Sequence, residues 1–220
     1  MHRVERTLAM AGLAALIGAS GATPLLSQTA PGAAPPGSAE SALPPPSASS
    51  PVANGRATLI PSPGDPVNVD EVVLPGKPVA VLSGTSTWDE GFTNLQNAFR
   101  RIEIEAAKAG LKAVGRPVAV FNQTDDMSFK YDAMVPIDRV PDGRLVLTPE
   151  IKFAKTPDGK ALRFVHKGSY EEIDATYETI TAYLDAKGVT VKDALIEEYV
   201  NDVPDAADPN GEINIFVQPQ

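Results

Sequence analysis

The sequence predicts an α+β fold: a duplicated βαββ unit forming mostly antiparallel sheet, two main helices on one side, and a groove between pseudo-symmetric halves. Three observations predict it. Short β-prone runs recur through residues 67–220, with two helix-periodic stretches set among them. The elements come twice in the same order, about 80 residues apart. Each helical stretch also follows a capping-box signature, Thr87-Trp88-Asp89-Glu90 and Ser169-Tyr170-Glu171-Glu172.

The first predicted strand is Lys77–Ser83, short and rich in Val and Ala. The first helix follows Thr87 and places Phe92, Leu95, Phe99, Ile102, Ala106 and Ala109 at helical spacing, with Gly110 as its stop. Residues 117–122 and 129–137 read as strands joined by a polar turn at Thr124-Asp125-Asp126. Residues 145–153 read as another strand, turned by Thr156-Pro157-Asp158-Gly159. The pattern then returns: Gly159-Lys160-Ala161-Leu162-Arg163-Phe164 echoes Gly76-Lys77-Pro78-Val79-Ala80-Val81. The second helix carries Ile173, Tyr177, Ile180 and Leu184 on one face and stops at Gly188. Residues 196–201 and 213–217 close the set, although 191–200 also fits an amphipathic helix.

Composition divides the chain near residue 66. Residues 1–27 read as a secretory signal: a basic start with Arg3 and Arg6, a short apolar run from Leu8 to Gly18, then small residues. Residues 28–66 read as a Pro/Ala/Ser-rich disordered linker, and 67–220 as the folded domain. The expected location is periplasmic or secreted, with no stable membrane insertion once the signal is cleaved. The net charge of −9 lies wholly in the domain, since the first 66 residues hold three basic and three acidic side chains. An acidic domain without a basic stripe argues against nucleic acid and tolerates a cation better than an anion. The absence of Cys removes disulfides, thiolate metal sites and a Cys nucleophile. With His166 the only histidine beyond the signal, no metal site and no cofactor is expected.

The run from Gly159 to Ile173, the segment Ile196-Glu197-Glu198-Tyr199-Val200-Asn201-Asp202, the closing strand Glu212–Val217 and its first-half counterpart Ala133–Ile137 resemble GyrI-like domains, also known as transcription-activator effector-binding domains. The resemblance covers both repeats, from about residue 75 to the end. It implies a duplicated βαββ fold with a ligand pocket between the halves. It also implies a glutamate on the penultimate strand, ringed by aromatics, that meets cationic or amphipathic molecules; the position matching it here is Glu198. Some members instead hydrolyse strained cyclopropane-containing toxins with the same glutamate, and related members bind and inhibit a protein. The N-terminal part here reads as signal and linker, so no DNA-binding segment and no transcription-activator role is expected. A last-strand position often aromatic in the family is Asn214.

In an extended strand Ile196, Glu198 and Val200 share one face, and Glu197, Tyr199 and Asn201 the other. A carboxylate between Ile and Val on an apolar face would be desolvated and avid for a cation or a proton. Glu198 is therefore the expected centre of the site. Trp88 and its repeat-mate Tyr170 are expected to stack on a flat or cationic ligand, with Tyr131, Tyr177, Phe92 and Asn214 as further ligand-binding candidates. Three readings remain open: capture of a small organic molecule, hydrolysis with Glu198 as general base and Tyr170 or Trp88 positioning the substrate, and a protein-binding or inhibitor module.

Overall fold

Alternating apolar runs and two helical stretches resolve into eight strands and two helices in the computed structural model, which describes residues 55–125, 127–141 and 145–220. The expected signal, the linker up to residue 54, and Asp126 of the expected polar turn lie outside the described residues. The elements are β1 (Asp70–Pro75), β2 (Pro78–Thr87), α1 (Gly91–Lys108), β3 (Val118–Thr124), β4 (Ser128–Pro136), β5 (Ile151–Lys155), β6 (Asp158–Lys167), α2 (Ile173–Lys187), β7 (Val191–Tyr199) and β8 (Glu212–Pro219). The strands form one curled antiparallel sheet in the order β1-β6-β8-β7-β3-β4-β2-β5. Exchanging the first four strands for the last four reverses this order without changing it, the pattern a duplicated unit produces. Each half opens with one strand more than βαββ, and that strand crosses over: β1 pairs with β6, and β5 with β2.

The alternative of a helix at 191–200 loses to pairing. β7 lies between β3 and β8, and Leu195–Glu198 pair with both flanking strands, which satisfies their backbone groups in the sheet. Two other expectations shift. The strand expected at 145–153 starts only at Ile151, because Pro149 offers no backbone donor and Thr148 Oγ1 accepts from the Ile151 N–H at 3.1 Å. The capping box at Thr87 is not made: Thr87 is still paired to Ser128 in the sheet, and α1 starts at Gly91 with Glu90 at the cap position and no side-chain cap. Ser169 does cap, its Oγ accepting from the Glu171 N–H at 3.2 Å in a 3-10 turn that leads into α2.

The stops hold. Gly188, with φ of 62°, ends α2 in the left-handed conformation, and a Cβ there would touch nothing. Gly188→Ala therefore carries a backbone penalty alone. It is expected to cost about 1 kcal/mol of stability, read as a lower urea midpoint with an unchanged slope.

Alternation along the strands builds two cores. On one face Ala80, Ala119, Phe121, Val135, Ile215 and Val217 pack against Leu95, Phe99 and Ile102 of α1 and Ile173 and Ile180 of α2. Burying one such large side chain contributes about 1.5–3 kcal/mol. On the other face Val79, Val118, Val120, Ile196 and Phe216 form a smaller core, closed by Leu59 and Ile60. Residues from Ala57 onward, ahead of the expected domain start at residue 67, thus pack on the sheet as well. Ala57 bridges Gly115, and Leu59 is 3% exposed. A sheet apolar on both faces needs a second cover, and a Pro-rich segment can supply it without regular structure.

Candidate ligand site

The central strand β7 carries two adjacent carboxylates on opposite faces of the sheet. Glu197 points to the helical face and is 1% exposed. Tyr177 Oη donates to its Oε1 at 2.5 Å, while Tyr199 and Tyr170 donate to Oε2 at 2.7 and 3.3 Å. Tyr199 reaches it because it lies two residues further along the same strand. Tyr170 and Tyr177 are seven residues apart, from the 3-10 turn into α2, so they hang over the same side.

Around the phenols the rings are contiguous. Phe92 lies 5.1 Å from Tyr170, Tyr170 stacks on Tyr199 at 6.3 Å, and Phe99 meets Tyr199 edge-on at 5.2 Å. Tyr170 and Tyr177 are only half-buried, which makes them the part of the cluster nearest solvent.

Burial pushes the Glu197 carboxyl above its usual range, against the three phenol hydrogen bonds that favour its charged form. The same burial, reinforced by Glu197, holds Tyr170, Tyr177 and Tyr199 well above 10, so all three stay protonated donors. Among the described residues no Lys, Arg or His forms an ion pair with Glu197. The site is a buried acceptor bordered by aromatic rings, with no ion-pair partner among the described residues.

The structure brings Tyr170, Tyr177 and Phe92 together, but around Glu197. Glu198 lies on the opposite face and is fully buried; Asn214 Nδ2 donates to its Oε2 at 2.8 Å, and the Leu59 N–H donates to Oε1. Asn214 is therefore Glu198's neighbour and stands apart from the aromatics. Strand alternation fixes this separation. Trp88 is 51% exposed and lies on Phe129 at 4.9 Å, its Nε1 donating to the Asp125 carbonyl. Tyr131 is buried beside Phe129, with ring centroids 5.9 Å apart, one layer from the phenols. Sequence reasoning missed Glu197 and Tyr199. The signal was present in their shared parity, which pairs a carboxylate with an aromatic on one face. His166 is buried and spent on structure, bonded to Thr176 Oγ1 and the Ser169 carbonyl at 2.8 and 3.0 Å. No cluster of metal-ligating side chains occurs among the described residues.

The fold is that of an α+β domain with one curled antiparallel sheet and two helices. The chain belongs to the GyrI-like small molecule binding domain family, whose model matches residues 68–218. Among solved structures it is similar to the C-terminal domain of EcmrR, with 13% identity, 70% of this chain and 97% of that one covered, and a TM-score of 0.59. It is also similar to EcmrR in a DNA complex seen by cryo-EM, with 16% identity and a TM-score of 0.57. There the match covers 69% of this chain and 57% of the other. An uncharacterized conserved protein from Listeria innocua gives 15% identity, 69% and 92% coverage, and a TM-score of 0.52. These likenesses show the fold. No curated protein matches the chain in sequence.

Proposed function

We propose that this is an exported small-molecule-binding protein that captures an amphipathic aromatic cation over Glu197. One observation carries the reading: Glu197 is a buried carboxylate whose partners are all neutral phenols. A cation entering the site would gain a desolvated counter-charge and the faces of Tyr170, Tyr199 and Phe92. An anion would meet repulsion there, and a neutral molecule only the rings. Export is supported by the signal-like residues 1–27.

A thermal-shift panel on the purified protein tests this, using benzyltriethylammonium, a neutral carbon isostere and an aromatic sulfonate. The cation at 100 times its Kd is expected to stabilise by about 2.7 kcal/mol, and the sulfonate not at all. Equal shifts with all three would contradict a carboxylate-centred site. The hydrolytic reading would use the same carboxyl as general base. It predicts that bound ligand is consumed, so recovery of intact ligand after long incubation separates capture from turnover.

A further inference from the structure

The cover of the second face behaves as a docked peptide. Residues 57–64 cross the sheet from the start of β3 to the β1 edge. At one end the Ala57 N–H donates to the Val114 carbonyl at 3.2 Å, and the Arg116 N–H to the Ala57 carbonyl at 3.0 Å. In the middle Leu59 fills the small core, its N–H donates to Glu198, and Lys77 Nζ holds the Thr58 carbonyl at 2.8 Å. At the far end the buried Arg163 donates to the Ser62 and Pro63 carbonyls at 2.8 and 3.1 Å, braced by Asp70. Gly64 then passes so close that a Cβ would lie 2.3 Å from Val165 Cγ2 and 3.2 Å from Asn214 Oδ1.

The sheet and its flanking loops thus supply donors for the Ala57, Thr58, Ser62 and Pro63 carbonyls, an acceptor for the anchor's N–H and a pocket for one aliphatic side chain. Yet within residues 55–64 Leu59 alone is buried, and the segment makes a single β-bridge. Separate hydrogen bonds and one buried side chain hold it in place of a continuous ladder, which is the condition for local opening well below the free energy of global unfolding. Asn214 Oδ1 is moreover buried without a partner, so the closed groove is not fully satisfied beneath the segment.

We infer that the sheet face opposite the helices is a binding groove for an extended peptide with a leucine-like anchor, and that Ala57–Gly64 is its own releasable occupant. The groove is separate from the Glu197 site and stands whether or not that site binds a cation. Docking also takes up a proton. Glu198 faces Lys77, Arg163 and Asn214, with Asp70 behind Arg163, and burial raises its carboxyl to about 7. Release into water returns it towards the ordinary value, so the closed form tightens as pH falls from about 7 to 4.5, by roughly 300-fold at most.

Amide exchange on the full chain, followed by NMR, tests the inference. In the wild type, the Ala57, Leu59 and Arg116 amides are expected to exchange at least about tenfold faster than those of Ile215 and Phe216 in the sheet centre. Gly64→Ala should accelerate the first three further and leave the centre unchanged. A fluorescent peptide of residues 55–65 should then bind full-length Gly64→Ala, and lose that binding when its leucine is replaced by Asp. If the three wild-type amides exchange only together with the sheet centre, or the peptide fails to bind a folded Gly64→Ala chain, the segment is fixed structure and the inference falls.

Discussion

Glu197→Gln is expected to weaken binding of benzyltriethylammonium by roughly 30- to 1000-fold while leaving the neutral isostere within a few-fold of wild type. The magnitude follows from burial. Glu197 is 1% exposed and pairs with no Lys, Arg or His among the described residues, so its ionised form would act on a bound cation with little screening by solvent. Gln keeps the shape and one acceptor oxygen, so the rings stay in place and only the charge is lost. Tyr177→Phe is a gentler change. It removes one donor to Oε1 and leaves Tyr170 and Tyr199 on Oε2, so the carboxyl rises further and cation affinity falls less than with Gln.

Glu198→Gln is expected to stabilise the protein above pH 7, although it removes a fully buried side chain's charge. Burial is the largest cause of the rise of Glu198 from 4.5 to about 7, opposed by Asn214, the Leu59 N–H, Lys77 and Arg163. Below pH 4.5 the carboxyl is protonated folded and unfolded, and burial of the charge costs nothing. Between 4.5 and 7 the unfolded chain loses the proton while the folded one keeps it, so stability declines as pH rises. Above about 7 both forms are ionised and the loss levels off at about 3 kcal/mol. The variant avoids this loss. A turn of the Asn214 amide would let its unpartnered oxygen accept from the new Gln. Wild type and Glu198→Gln should melt together near pH 4.5 and separate by roughly 5–10 °C at pH 8, the variant higher. A weaker slope of the same sign should persist in the variant, because Glu197 is raised too. Melting curves that stay parallel between pH 4.5 and 8 would show that Glu198 is not desolvated.

How much of this was legible depended on the kind of signal. The Phe92–Ala106 stripe and the Ile173–Leu184 stripe gave both helices, and Gly110 and Gly188 gave their ends, because period and left-handed stops are local properties. The repeated order gave the paired halves, but β1 and the exchange of β1 and β5 between halves depend on long-range pairing that no local pattern encodes. At the proposed site the expected and the proposed carboxylate differ by one residue. Glu198 between Ile196 and Val200 does sit on an apolar face and is desolvated, as the alternation implied. What alternation could not say was which apolar face lies under the helices and which under residues 57–64. Those residues look like linker because Pro61, Pro63 and Gly64 resist regular structure, and one anchored leucine leaves almost no periodic trace.

The central claim is that Glu197, and not its neighbour Glu198, is the carboxylate a ligand meets. Calorimetric titration of benzyltriethylammonium into wild type, Glu197→Gln and Glu198→Gln at pH 8 tests it directly. The account predicts heat of binding in the wild type and Glu198→Gln with similar Kd, and its loss in Glu197→Gln. Loss in Glu198→Gln with retention in Glu197→Gln would place the ligand on the opposite face of the sheet and contradict it.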